Sequence, residues 1–240
     1  MNDSSTHPLS ATSNVPLSDE AAVEQILGDS ILGLWDVVNN LTRIRTTKDE
    51  RYRVTIFGSA RTKPGSMIYD ETKRCAAALA ELGCDIVTGG GPGLMQAANE
   101  GAAGNGHVQS IGIRVELPFE QGANAFVQKM FQHRTFFTRL HQFVLASDAF
   151  LVAPGGIGTL LEVSMIWQLL QVRHITDVPL ILMGPMWPGL IDWARESMLA
   201  LDPPLCNRED LLIPQCVPDA DAAIDLIREH HARWTLTNKP

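Results

Sequence analysis

The feature that most constrains the fold of this chain is a series of short apolar runs that end in glycine and give way to helical patterns. Val54-Thr55-Ile56-Phe57 ends in Gly58-Ser59, and Asp85-Ile86-Val87-Thr88 ends in Gly89-Gly90-Gly91. The run at 149–153 ends in Pro154-Gly155-Gly156-Ile157-Gly158-Thr159. Further strands are expected at 109–115, 127–130 and 179–183. Helical periodicity marks 70–82, 94–101, 135–146, 158–172, 187–201 and 219–231, with Gly83 as a C-terminal stop for the first. Strands that alternate with helices imply βαβ units, and unbroken apolar strands imply a sheet covered on both faces. The expectation is a doubly wound, Rossmann-like α/β fold with a mostly parallel sheet and helices on both faces. Right-handed crossovers then bring all the glycine loops to one sheet edge, where ligands bind in such folds.

The rest of the chain is organised around that domain. Residues 1–17 are polar and rich in Ser, Thr and Asn, and read as a disordered tail. Residues 18–50 read as an N-terminal helical extension. Ser18 or Asp19 caps it, and Val23, Ile26, Leu27, Ile31, Leu34 and Val38 form an apolar face that needs a partner. Residues 51–234 show neither repeat nor linker and read as a single nucleotide-binding domain.

Composition excludes several functions. The net charge is −8 and no Lys/Arg block occurs, which argues against a nucleic-acid polymer as partner. No apolar run reaches the roughly 18 residues of a membrane span, and the start lacks the pattern of a signal peptide, so a cytoplasmic location is expected. Cys75, Cys84, Cys206 and Cys216 form no CxxC pair or metal spacing, and no metal site is expected.

The loop at 154–159 carries the chemistry. Its glycines let the backbone turn sharply and approach a ligand without a Cβ clash. The helix that follows presents free N–H groups and the positive end of its dipole, and Thr159 adds a hydroxyl. This suits a phosphate monoester. A tight turn without a ligand would also need glycine. The second glycine junction on the same edge, at 89–93, favours a ligand. The loop lacks the lysine of a P-loop. Glu162 follows one turn later, placed for a sugar or simply for the helix dipole.

Gly89-Gly90-Gly91-Pro92-Gly93-Leu94-Met95 and Pro154 to Glu162 together resemble the Lonely Guy family, cytokinin riboside 5′-monophosphate phosphoribohydrolases long labelled lysine decarboxylases. The family pattern PGGxGTxxE is matched at every defined position. The resemblance spans about residues 53–203. It implies Arg139 and Glu162 as catalytic residues. For substrate binding it implies Gly58, Ser59, Arg61, Gly90, Gly91, Glu120, Gly155, Gly156, Ile157, Gly158 and Thr159. Asp148, in Asp148-Ala149-Phe150, matches a further family position. The chain departs from the family at Leu140, Met165 and Gln168, which bears on base specificity. The implied activity is hydrolysis of the N-glycosidic bond of nucleoside 5′-monophosphates, AMP or the cytokinin riboside form, without cofactor or metal. The implied assembly is a homodimer at least, or a hexamer. The alternative is a non-catalytic nucleotide or cofactor carrier of the same superfamily. Lysine decarboxylation needs a lysine Schiff base to pyridoxal phosphate, yet none of the five lysines lies in a glycine motif.

Overall fold

The computed structural model describes residues 18–43, 51–115 and 122–238. The tail expected over 1–17 lies outside the described residues, as does Glu120. The chain divides into two compact units, Met1–Lys48 and Asp49–Pro240.

In the first unit, helix α1 runs over Glu20–Arg43. Asp19 caps it, its carboxylate accepting the Ala22 N–H at 3.2 Å. Gly28 and Gly33 lie inside the helix without breaking it. Ile26, Leu27, Ile31 and Leu32 are exposed.

The second unit is a seven-stranded, all-parallel sheet. Its strands are β1 (Arg53–Phe57), β2 (Asp85–Thr88), β3 (Ser110–Val115), β4 (Lys129–His133), β5 (Ala149–Val152), β6 (Leu180–Met183) and β7 (Pro214–Val217). Their order is β4-β3-β2-β1-β5-β6-β7. The chain winds outward from β1 to β4, returns to set β5 beside β1, and winds outward again. The register pairs Val54 with Ala149 and Phe57 with Val152. Connections diverge above β1 and β5, which opens a crevice at their carboxyl ends.

Alternation along the strands sorts the core into two layers. Val54, Ile56, Ile86, Leu151 and Ile181 pack with α2 (Met67–Glu81), α3 (Leu94–Ala103) and α7 (Ala220–Asn238). Phe57, Val87, Phe150, Val152 and Leu182 pack with α4 (Phe136–Ala146), α5 (Ile157–Gln171) and α6 (Trp187–Met198). Both faces are covered, as unbroken apolar strands require. Helices α2 and α3 approach closely at Gly101, where a Cβ would stand 2.2 Å from the Lys73 carbonyl oxygen. Gly101→Ala is therefore expected to destabilise the domain by about 1–3 kcal/mol, read as a lower urea midpoint.

Several boundaries differ from the sequence reading. Strand β7 and the 3-10 turn Glu209–Leu212 were not expected. Strand β7 is a four-residue edge strand that begins with proline and buries only its two ends, so it carries little periodic signal. Strand β4 begins at Lys129 rather than 127, because its pairing with Ile111 sets its start. Helix α2 starts at Met67, three residues before Asp70, behind Ser66. Helix α6 stops at Met198, and α7 continues past His231 to Asn238. Among the described residues no helix is long and apolar enough to cross a membrane.

Candidate functional site

Three glycine loops meet at the carboxyl ends of β1, β2 and β5, and backbone hydrogen bonds stitch them together. The Ser59 N–H donates to the Pro154 carbonyl at 3.1 Å, and the Leu94 N–H donates to the Ser59 carbonyl at 2.8 Å. The second contact needs Gly93. Its φ is +70°, and a Cβ there would stand 2.2 Å from the Ser59 oxygen. The loops enclose a cavity of about 910 Å³.

Helix α5 points its first turn at this cavity. Its N-cap is Gly156, and no side chain caps it, so the first N–H groups of the helix remain for a ligand. The glycines of the loop have different work. A Cβ on Gly155 would collide with Thr159 Oγ1 at 2.2 Å, whereas Gly156 and Gly158 face open space. Gly155 is required by packing under the loop. Gly156 and Gly158 leave room above it.

Arg139 comes from the first turns of α4 and Glu162 from α5. Arg139 Nη1 donates to Glu162 Oε1 at 3.1 Å, and its Nε donates to the Ile113 carbonyl at 3.1 Å. The guanidinium also sits 5.0 Å from the centre of the Phe143 ring. Gly89 makes space for this arrangement, because a Cβ there would stand 2.6 Å from Arg139 Nη2. Glu162 is 8% exposed. Burial pushes its carboxyl up from the usual carboxylate range to about 7, and the Arg139 charge and hydrogen bond oppose this. A carboxyl near neutrality can take up and release a proton at physiological pH.

Gly58, Ser59, Arg61, Gly91, Gly156, Ile157, Gly158, Thr159, Arg139 and Glu162 all line the cavity. Gly90 and Gly155 do not line it. Gly90 lies behind it with φ +69° against Arg114 and Met130. Asp148 is also elsewhere, before β5 at the opposite sheet edge, where its carboxylate accepts the Arg53 N–H at 3.0 Å. Sequence reasoning missed Arg114, Gln96 and Asn124, which line the cavity too. Arg114 had a readable signal, the one charge in its strand, near the carboxyl end. Asn124 had none, since long-range contacts place it. Its amide donates to the Gly91 carbonyl at 2.9 Å and to Asn99 Oδ1 at 3.0 Å. Asn99 is itself buried and accepts from Thr88 Oγ1 at 2.6 Å.

A family model described as possible lysine decarboxylase matches residues 95–227, more than half of the chain. A comparison with curated proteins found no match. Solved structures share the fold. The molybdenum cofactor carrier protein MCP from Chlamydomonas reinhardtii is 18% identical, with 76% of this chain and 99% of that chain covered and a TM-score of 0.59. The molybdenum cofactor binding protein from the phototrophic bacterium Rippkaea orientalis is 19% identical, with 75% and 97% covered and a TM-score of 0.57. The X-ray structure of TM1055 is 17% identical, with 74% and 99% covered and a TM-score of 0.56. At these identities the likeness concerns the fold.

Proposed function

As the chain belongs to the possible lysine decarboxylase family, which includes the Lonely Guy proteins, we propose that it hydrolyses the N-glycosidic bond of nucleoside 5′-monophosphates. AMP or cytokinin riboside 5′-monophosphate would yield free base and ribose 5-phosphate. One observation carries this reading: a buried, near-neutral carboxyl, paired with an arginine, stands one turn behind an uncapped helix N-terminus that opens into a cavity.

In this reading the 5′-phosphate is held by the N–H groups at the start of α5. Its binding positions C1′ near Glu162, so remote binding energy serves the reacting centre. The bond from C1′ to the base nitrogen breaks, and the electron pair leaves with the base. Positive charge grows on the ribose, and ionised Glu162 stabilises it. Water adds to C1′ and passes a proton to Glu162. That proton is then released to the base or to solvent, which returns the carboxylate. Arg139 holds Glu162 in place and lowers its pKa towards the working range. Each step uses the chain's own side chains and water.

Free adenine should appear from AMP at a rate at least a hundredfold above that from adenosine, because adenosine lacks the handle held by α5. Chromatography of the released base measures this, and equal rates would remove the phosphate from the argument. The carrier alternative draws on cavity size, which leaves room beyond a mononucleotide, and on the molybdenum cofactor proteins that share the fold. Bound AMP recovered whole after long incubation would favour it. A second copy of the chain is the proposed partner. Phe137 of α4 and Ile157 of α5 are more than four-fifths exposed beside the cavity, an apolar surface suited to a subunit contact.

A further inference from the structure

Asn99, in the second turn of α3, is fully buried and does not line the cavity, yet four segments of the chain meet on its side chain. Its Oδ1 accepts from Thr88 Oγ1 at the end of β2 at 2.6 Å, and from Asn124 Nδ2 at 3.0 Å. Its Nδ2 donates to Ser110 Oγ at the start of β3 at 2.9 Å. Thr88 and Ser110 are buried as well. Buried polar side chains are costly unless they are bonded, so such a cluster is held together as a unit.

The direction of every bond in the cluster is set by the backbone at its rim. The Phe126 N–H can only donate, and Asn124 Oδ1 receives it at 3.1 Å. The Gly91 carbonyl can only accept, and Asn124 Nδ2 donates to it at 2.9 Å. The amide of Asn124 therefore cannot be turned over. Its second N–H meets Asn99, so the facing atom of Asn99 is the oxygen. That oxygen makes the Thr88 hydroxyl a donor, whose own oxygen is then left to accept the Gly90 N–H at 2.9 Å. The Asn124 N–H donates to the Gly90 carbonyl at 2.9 Å. One acceptor atom inside the domain thus orients two side chains that grip Gly90 and Gly91 from both sides. Gly90 has φ +69°.

Resting on the reading of the cavity as a nucleotide site, we infer that Asn99 is a positioning residue for the nucleotide, acting through Asn124 and Thr88. The clasp it holds joins two walls of the cavity: Gly89 and Gly91 after β2, and Gly122, Ala123 and Asn124 ahead of β4. A wall held in its binding geometry before the ligand arrives costs nothing to order on binding. Without the Asn99 oxygen, an N–H of Asn124 and the Thr88 hydroxyl both lose their partner, and the grip on Gly90 and Gly91 loosens. Arg139 and Glu162 are anchored separately, to each other and to the Ile113 carbonyl. Loss of the clasp should therefore fall on binding more than on the chemical step.

AMP and the full chain serve for the test. Asn99→Leu, close to asparagine in size but without polar atoms, should raise KM for AMP about tenfold and change kcat by less than about threefold. Asn99→Asp keeps both acceptor bonds and lets Ser110 turn its hydroxyl to donate, so KM should return to within about threefold of the unmodified chain. Gly101→Ala is the control, because it strains the same helix against α2 and leaves the clasp alone. It should lower the urea midpoint without moving KM. Asn99→Leu combined with Asn124→Ala should raise KM far less than the product of the two single effects. Hydrogen exchange at Gly90 and Gly91 should quicken in Asn99→Leu but not in Gly101→Ala. If Asn99→Leu does not fold, Thr88→Val makes the same comparison from the other end of the clasp. An unmoved KM, a full product in the double variant, or equal shifts in Gly101→Ala each overturn the inference. If AMP is bound but not cleaved, the hydrolase reading alone fails, and calorimetric dissociation constants decide on Asn99 by the same ratios. If AMP is neither cleaved nor bound, both fall.

Discussion

Glu162→Gln is expected to lower kcat for nucleotide hydrolysis by about a thousandfold, the scale of losing a general base that also faces developing positive charge. Glutamine keeps the shape of the side chain and can still accept from Arg139, so the cavity should stay intact. It can neither take a proton from water nor carry a negative charge. Nucleotide affinity should change only a few-fold, because the proposed function assigns the phosphate to the start of α5 and not to Glu162. Single-turnover base release gives the first quantity and calorimetry the second. A variant that kept a tenth of the activity would exclude Glu162 as the base. Weakened binding with little loss of kcat would make the residue a ligand contact instead.

The second large effect concerns pH. The Glu162 carboxyl titrates at about 7 in the folded chain, against 4.5 for an ordinary glutamate, because it is buried. Between those values the folded state holds a proton that the unfolded chain has released. The stability contributed by this group is thus complete below about pH 4.5 and is lost as pH rises through 7. The unmodified chain should lose about 2–3 kcal/mol more than Glu162→Gln between pH 5 and pH 8, read from urea unfolding. Parallel stability profiles would show that the carboxyl is ionised in the fold throughout. The same titration governs rate. In the proposed mechanism ionised Glu162 is the active form, so kcat/KM should rise with pH and level off above about 7. Arg139 holds the carboxyl down by its charge and its hydrogen bond. Arg139→Ala should therefore move the rising limb to higher pH as well as lowering its plateau.

Much of this site could be read from the chain itself. Alternating apolar runs and helical periods are local properties, so the strands at β1, β2, β5 and β6 were legible within a residue or so. Glycine clusters after strands are local too, and they placed the loops on one edge once the sheet was parallel. The pairing of Arg139 with Glu162 came through family resemblance. Twenty-three residues separate the two, and no periodicity connects them.

Position and environment were decided by tertiary structure. Gly155, Gly156 and Gly158 look alike in sequence, but the first is required by Thr159 and the other two face the cavity. Strand β7 has too few apolar residues to announce itself and is defined by pairing with β6. Arg114 reads as the one charge in its strand until β2 and β3 lie side by side and bring its stem onto Gly90. The sequence by itself determined the doubly wound fold and the phosphate-suited loop, because both follow from short-range pattern and backbone geometry. Only the tertiary structure decided how deeply Glu162 is buried beside Arg139 and which groups line the cavity. Desolvation and hydrogen-bond complementarity depend on what surrounds a side chain from every direction, and segments far apart in the chain supply those surroundings.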